Sequence, residues 1–230
     1  MAGPHVPTRR WTRVEYDRLI EAGFFRPGDP VELLGGQMIV AEPQGSRHFA
    51  ALRATQEALR AAFGAGWEIR GQGPIALDEE SEPEPDLAVV PGTFRDYRAA
   101  HPSSPALVVE ISEASLALDR AHKGSLCARA GLADYWIVNL PERCLEVYRD
   151  PSPTRPPHSG GDTTRSRSWS RAPPCHRSPG PIGASRSATS SPDPVSTSFQ
   201  GFAPWWERKC ARSLRSWSES PASSCDMAPP

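Results

Sequence analysis

The 230-residue chain carries 26 Lys and Arg against 27 Asp and Glu, with 26 Pro, 18 Gly and 5 Cys, and 38% of its residues are apolar. That suffices for one ordinary core, but no stretch approaches the roughly 18 consecutive apolar residues of a membrane span. The near-neutral total hides two unlike parts: residues 1–150 hold 16 basic and 22 acidic side chains (net −6), and residues 151–230 hold 10 and 5 (net +5).

Net acidity in the first part argues against broad adhesion to nucleic acid through a basic surface, while leaving room for a local basic groove or a carboxylate metal site. The start, MAGPHVPTRRW, has no apolar run after its basic residues and does not read as a secretory signal. Cys127 and Cys144 belong to no CxxC pair, so neither a disulfide framework nor a zinc knuckle is expected. The expectation is a cytoplasmic protein with no membrane partner.

Residues 1–10 read as a flexible N-terminus and 11–150 as one domain. Thr12 and Glu15 form a capping box that opens a short helix to about Glu21, closed by Ala22-Gly23. VELLGGQMIV places two apolar runs around Gly35-Gly36 and predicts a β-hairpin. From Ser46 to Phe63, apolar residues at helical spacing (Phe49, Leu52, Ala58, Leu59, Phe63) predict a helix that ends at Gly64. Strands are predicted at Trp67–Arg70, Pro74–Leu77, Asp86–Val90 and Ala106–Ile111, with a proline-bounded linker from Pro91 to Pro105. A helix from about Ala117 to Ala130 ends at Gly131, and strands follow at Tyr135–Leu140 and Cys144–Tyr148. The alternation predicts an α/β fold of mixed type, helices packed around one central sheet.

Residues 151–230 differ in kind. Leu, Ile and Val number 30 in residues 1–150 and 3 after it, while the second part holds 14 of the prolines and 18 serines. So few aliphatics cannot offset the entropy of ordering, and a disordered low-complexity tail is expected. It reads either as a basic arm that helps hold DNA or as the product of a shifted reading frame. TCN serine codons read one base earlier become NTC, which encodes Phe, Leu, Ile or Val; with free wobble bases, Gly160–Pro192 back-reads as an aliphatic, strand-like sequence.

Three acids stand within or at the ends of apolar strands: Glu32 in VELL, Asp86 before LAVV, and Glu110 after LVV. A carboxylate there either meets a cation or sits in solvent at a strand end. On neighbouring strands the three would form an oxygen-rich site suited to Mg²⁺ or Mn²⁺. Spacing alone leaves both readings open.

The ordered series EPDLAVV, LVVEIS and SLALDRAHKGSLCARAGLADYWIVNL, with VELLGGQMIV and RHFAALRATQEAL before it, resembles the Uma-type family of bacterial restriction endonucleases, within the PD-(D/E)xK nuclease superfamily. The resemblance covers roughly residues 10–149. It implies a restriction-endonuclease-like central mixed sheet flanked by helices. It also implies Asp86 as the motif aspartate, Glu110 as the motif acid and Glu32 as an additional acid of the hairpin. Position 112 is Ser, so the usual E-x-K lysine is absent, and Lys123 on the following helix matches the family's alternative place. Cys127 departs from the family's usual Tyr. The implied activity is Mg²⁺- or Mn²⁺-dependent hydrolysis of DNA phosphodiesters, with Asp86, Glu110 and Glu32 holding metal and Lys123 stabilising developing charge. A homodimer would suit double-strand cleavage.

Other assignments compete with these. Lys123 could be a solvated lysine paired with Asp119 one turn earlier. His48 reads as a structural histidine or a phosphate contact, and Tyr135 and Trp136 as sheet packing. The whole domain could instead be a catalytically silent nuclease fold that binds DNA or protein.

Overall fold

The most apolar segments of the chain become neighbouring strands at the centre of one sheet. The computed structural model describes residues 8–153 and 167–171. Helix α1 (Arg13–Glu21) starts at Thr12, whose hydroxyl accepts from the Glu15 amide while Glu15 reaches back to the Thr12 amide. Strands β1 (Val31–Leu34) and β2 (Gln37–Val40) form the expected hairpin. Its turn residues Gly35 and Gly36 have φ of 57° and 78°, a left-handed pair that glycine adopts without a Cβ penalty. Helix α2 (Ser46–Phe63) follows.

Next come β3 (Trp67–Gly71), β4 (Leu87–Pro91) and β5 (Leu107–Ser112), then helix α3 (residues 116–130), β6 (Asp134–Asn139), β7 (Cys144–Pro153) and β8 (Arg167–Arg171). The sheet order is β3-β4-β5-β6-β7-β8. β5 and β6 run parallel and every other neighbouring pair antiparallel. A parallel pair needs a crossover, and α3 supplies it.

Strand alternation divides the core between the two faces. Val89, Val109, Ile111, Trp136 and Val138 pack with Leu52 and Leu59 of α2 on one face. Ala88, Val90, Val108, Tyr135 and Ile137 pack with Leu126 of α3 and Leu34 of the hairpin on the other. Every residue of β5 and β6 is buried, as expected for strands covered on both faces. The period of two also carries Asp86, Ala88 and Val90 to the α3 face, together with Val108, Glu110 and Ser112.

Two expectations are corrected. Pro74–Leu77 is no sheet strand: Ile75 and Leu77 are buried in a reversal closed by Ile75 N–H to Pro83 O (3.0 Å) and Leu77 N–H to Ser81 O (3.1 Å). Pro74, Pro83 and Pro85 lack the amide donors that a longer ladder would need. The boundary at residue 150 also moves, because β7 continues to Pro153 and β8 is added from within the composition-poor segment. An edge strand needs backbone hydrogen bonds and one good anchor, here Trp169 packed on Tyr135 and Tyr148, so an aliphatic count does not register it. The rest of the expected tail, including most of the back-read Gly160–Pro192, and residues 1–7 lie outside the described residues. Among the described residues no helix is long and apolar enough to cross a membrane.

Candidate active site

Antiparallel pairing of Leu87 with Val109 sets Asp86 opposite Glu110 at the end of the β4–β5 ladder. The Asp86 amide donates to Glu110 Oε2 (3.2 Å), and the Ile111 amide donates to Asp86 Oδ2 (2.8 Å). His48 Nε2, in the first turn of α2, lies 3.0 Å from the same Asp86 oxygen. Gln44 donates to Asp86 Oδ1 (3.2 Å) and accepts from Gln72 (2.6 Å). Gln72 has φ of +48°, an unusual conformation for a residue other than glycine, and its amide donates to the Asp86 carbonyl (3.0 Å).

Lys123 arrives from the opposite side. Helix α3 is not uniform: residues Asp119–Lys123 form a π-helical turn in which the Gly124 amide bonds the Asp119 carbonyl. A wider turn of this kind re-aims side chains and recurs at functional sites. The Lys123 ammonium lies 3.1 Å from Glu32 Oε1 and 3.3 Å from Glu110 Oε1. Glu32, on the hairpin, also accepts from the Glu84 amide at 3.0 Å. Glu32, Asp86, Glu110 and Lys123 are thus brought together at one end of a cleft of about 690 Å³.

All four are buried, with Lys123 8% exposed. The reading of Lys123 as a solvated helix lysine paired with Asp119 is therefore set aside: its ion pairs are Glu32 and Glu110, and Asp119 contributes only a longer-range field. Asp119 instead accepts from the Ser115 hydroxyl at 2.6 Å.

Electrostatically the site holds more negative than positive charge. Burial pushes the Glu110 carboxyl well above the usual carboxylate range, with Lys123 opposing the shift and Asp86 adding to it. Burial works against the charge on Lys123, yet Glu110 and Glu32 outweigh it and hold the ammonium above its ordinary value. Burial likewise raises Asp119, against the Ser115 hydrogen bond, and raises Glu84 with help from Glu32.

Gln44 and Gln72 escape the sequence reading because neither lies in an apolar strand or a recognised motif; only the φ of Gln72 singles it out. His48 is buried and serves as the histidine partner of Asp86. Tyr135 and Trp136 are sheet packing, on opposite faces. A separate grouping of Glu142, Cys144 and Glu146 has a structural use: the Glu146 carboxylate already accepts from Arg120 (3.0 Å), Asn139 (2.8 Å) and the Tyr148 hydroxyl (2.7 Å).

The architecture is α+β: a mixed sheet with one helical crossover, its carboxylates gathered at a ladder end beneath a helix. The chain belongs to the Uma2 family, described as "Putative restriction endonuclease", whose family model matches residues 13–169. Among solved structures it is similar to "a putative nuclease belonging to DUF820" from Anabaena variabilis, with 18% identity, a TM-score of 0.45, and coverage of 57% of this chain and 78% of that one. None of the curated proteins compared with the chain matches it.

Proposed function

We propose that the protein is a metal-dependent DNA endonuclease that hydrolyses phosphodiester bonds, with Asp86 and Glu110, assisted by Glu32, holding Mg²⁺ or Mn²⁺ and Lys123 acting on the substrate phosphate. The donor set fits a hard divalent cation: it is made of carboxylate oxygens, and the single Lys123 ammonium leaves their charge under-compensated. A bound divalent ion supplies polarisation of the phosphate and activation of water.

The chain's own residues do the rest. The Ile111 amide and His48 hold Asp86 Oδ2, which leaves Oδ1, capped only by the Gln44 side chain, to turn toward a ligand. The Asp86 amide orients Glu110 through Oε2, so that its Oε1 faces Lys123. Lys123 acts as a fixed positive charge toward the developing charge on phosphate. Burial on both sides keeps bulk water from screening that charge.

The observation that carries this reading is the Lys123 ammonium between Glu32 and Glu110, beside the Asp86–Glu110 pair. Nicking of supercoiled plasmid in Mg²⁺ or Mn²⁺, lost in EDTA and in Asp86→Ala, tests it. The net charge of −6 over residues 1–150 favours a second reading, a silent nuclease fold used for binding. Absence of cleavage by the folded protein across both metals and across single- and double-stranded DNA would favour that one.

A further inference from the structure

The proposed lysine stands on the least regular turn of the molecule. A π turn leaves carbonyls out of step with the ordinary i to i+4 ladder, and buried carbonyls need donors. At both ends of this turn the sheet adds a side-chain donor, at the Asp119 end alongside the Gly124 amide that already bonds that carbonyl. The Asp119 carbonyl accepts from the Tyr135 hydroxyl of β6 at 2.9 Å, and the Gly124 carbonyl accepts from the Trp169 indole N–H of β8 at 2.8 Å. Trp169 also stacks on Tyr135, with centroids 6.1 Å apart and planes 17° from parallel. The two donors are therefore one packed unit.

Gly124 is closely surrounded, and a side chain there would require the Asp119 carbonyl to give by a few tenths of an ångström. A Cβ there would lie 3.2 Å from the Asp119 carbonyl oxygen, 3.4 Å from the Tyr135 ring and 3.8 Å from the Trp169 nitrogen. Lys123 sits between the two anchored carbonyls, so its backbone is fixed from both sides. We propose that Trp169, on the edge strand β8, is a positioning residue for Lys123, clamping the π turn through the Gly124 carbonyl and the Tyr135 ring. On this assignment a strand from the aliphatic-poor C-terminal segment supports the proposed lysine, although Trp169 does not itself line the cleft.

The inference rests on the endonuclease reading for its kinetic consequence and is independent of it for its structural one. Trp169→Phe in the full chain keeps an aromatic ring against Tyr135 and removes the donor. Amide hydrogen exchange at Lys123–Ser125 is expected to quicken about 5-fold, the equivalent of one net hydrogen bond, with exchange in β4 and β5 unchanged. In the plasmid-nicking assay kcat is expected to fall about 5-fold or more, with KM within about twofold, because the lysine loses its place and not its charge. Tyr135→Phe, which removes the hydroxyl at the other carbonyl, should reproduce both effects if Trp169→Phe folds poorly.

Unchanged exchange in residues 123–125 overturns the proposal, as does faster exchange spread evenly over the sheet, which would make Trp169 a generic stabiliser. A lowered Tm with unchanged kcat overturns it as well. If the wild-type protein cleaves nothing, the endonuclease reading fails while the exchange result still decides the clamp.

Discussion

Asp86 and Glu110 hold each other reciprocally: the Asp86 amide donates to the Glu110 carboxylate at 3.2 Å, and the amide following Glu110 donates to the Asp86 carboxylate at 2.8 Å. The ladder register fixes both contacts, so the pair survives changes that keep an acceptor at position 86. Asp86→Asn is accordingly expected to fold with a Tm near wild type. It should cleave about 100-fold more slowly or worse, since several kcal/mol of metal-assisted stabilisation are lost with the ligand charge. Plasmid nicking alongside a thermal melt checks both halves.

Lys123 is shared by two buried carboxylates, Glu32 and Glu110, and removing it leaves both without their ion-pair partner. Lys123→Met is expected to cost about 3–5 kcal/mol, the usual penalty for breaking a buried ion pair from one side. Adding Glu32→Gln should recover much of that stability and none of the activity. Urea denaturation of the single and double variants tests the pairing, and a double variant as unstable as the single one would refute it.

Divalent metal should stabilise the folded protein through the same carboxylates. At free Mn²⁺ of about 100 times its Kd the gain is about 2.7 kcal/mol, visible as a rise in Tm. The shift should vanish in Asp86→Asn combined with Glu110→Gln. A full shift in that double variant would place the ion elsewhere.

Stability is expected to depend on pH through two acids outside the site. Glu82 is buried, and that burial, with Asp17 nearby, pushes its carboxyl up to about 7 against the pull of Arg13. An acid with a raised folded pKa makes the folded state bind the extra proton, so stability falls as pH rises from about 4.5 to about 7 and stays reduced above that. Glu82→Gln should remove this loss and raise stability at pH 8 by up to ~3 kcal/mol. Glu146 has the opposite sign. Although burial works against its charge, hydrogen bonds from Arg120, Asn139 and Tyr148 hold its carboxyl below 4.5, so its contribution is present above that pH and fades as pH falls below it. Denaturation midpoints measured from about pH 2 to 8 in wild type and Glu82→Gln separate the two.

Much of the fold can be read along the chain because its signals are local. The Thr12 capping box, the Gly35-Gly36 turn and the helical spacing from Ser46 to Phe63 each act within a few residues, and each element stands where its pattern put it. The strand patterns around Asp86, Glu110 and Glu32 likewise marked the three carboxylates, since charge beside buried aliphatics is costly enough to stand out. Once the strands are known, their period of two carries Asp86 and Glu110 to one face.

What the chain could not determine by itself is anything that depends on distant partners. Whether Lys123 faces solvent or Glu32 and Glu110 turns on a π turn, and that turn's carbonyls are met by Tyr135 and Trp169 from two other strands. The aliphatic count of 30 against 3 marked residue 150 as the end of the packed chain, yet β8 joins the sheet through backbone hydrogen bonds and one indole. Hydrophobic composition reports the entropy a segment can offset alone. Only the folded sheet decides which edge offers a poor segment a place to dock.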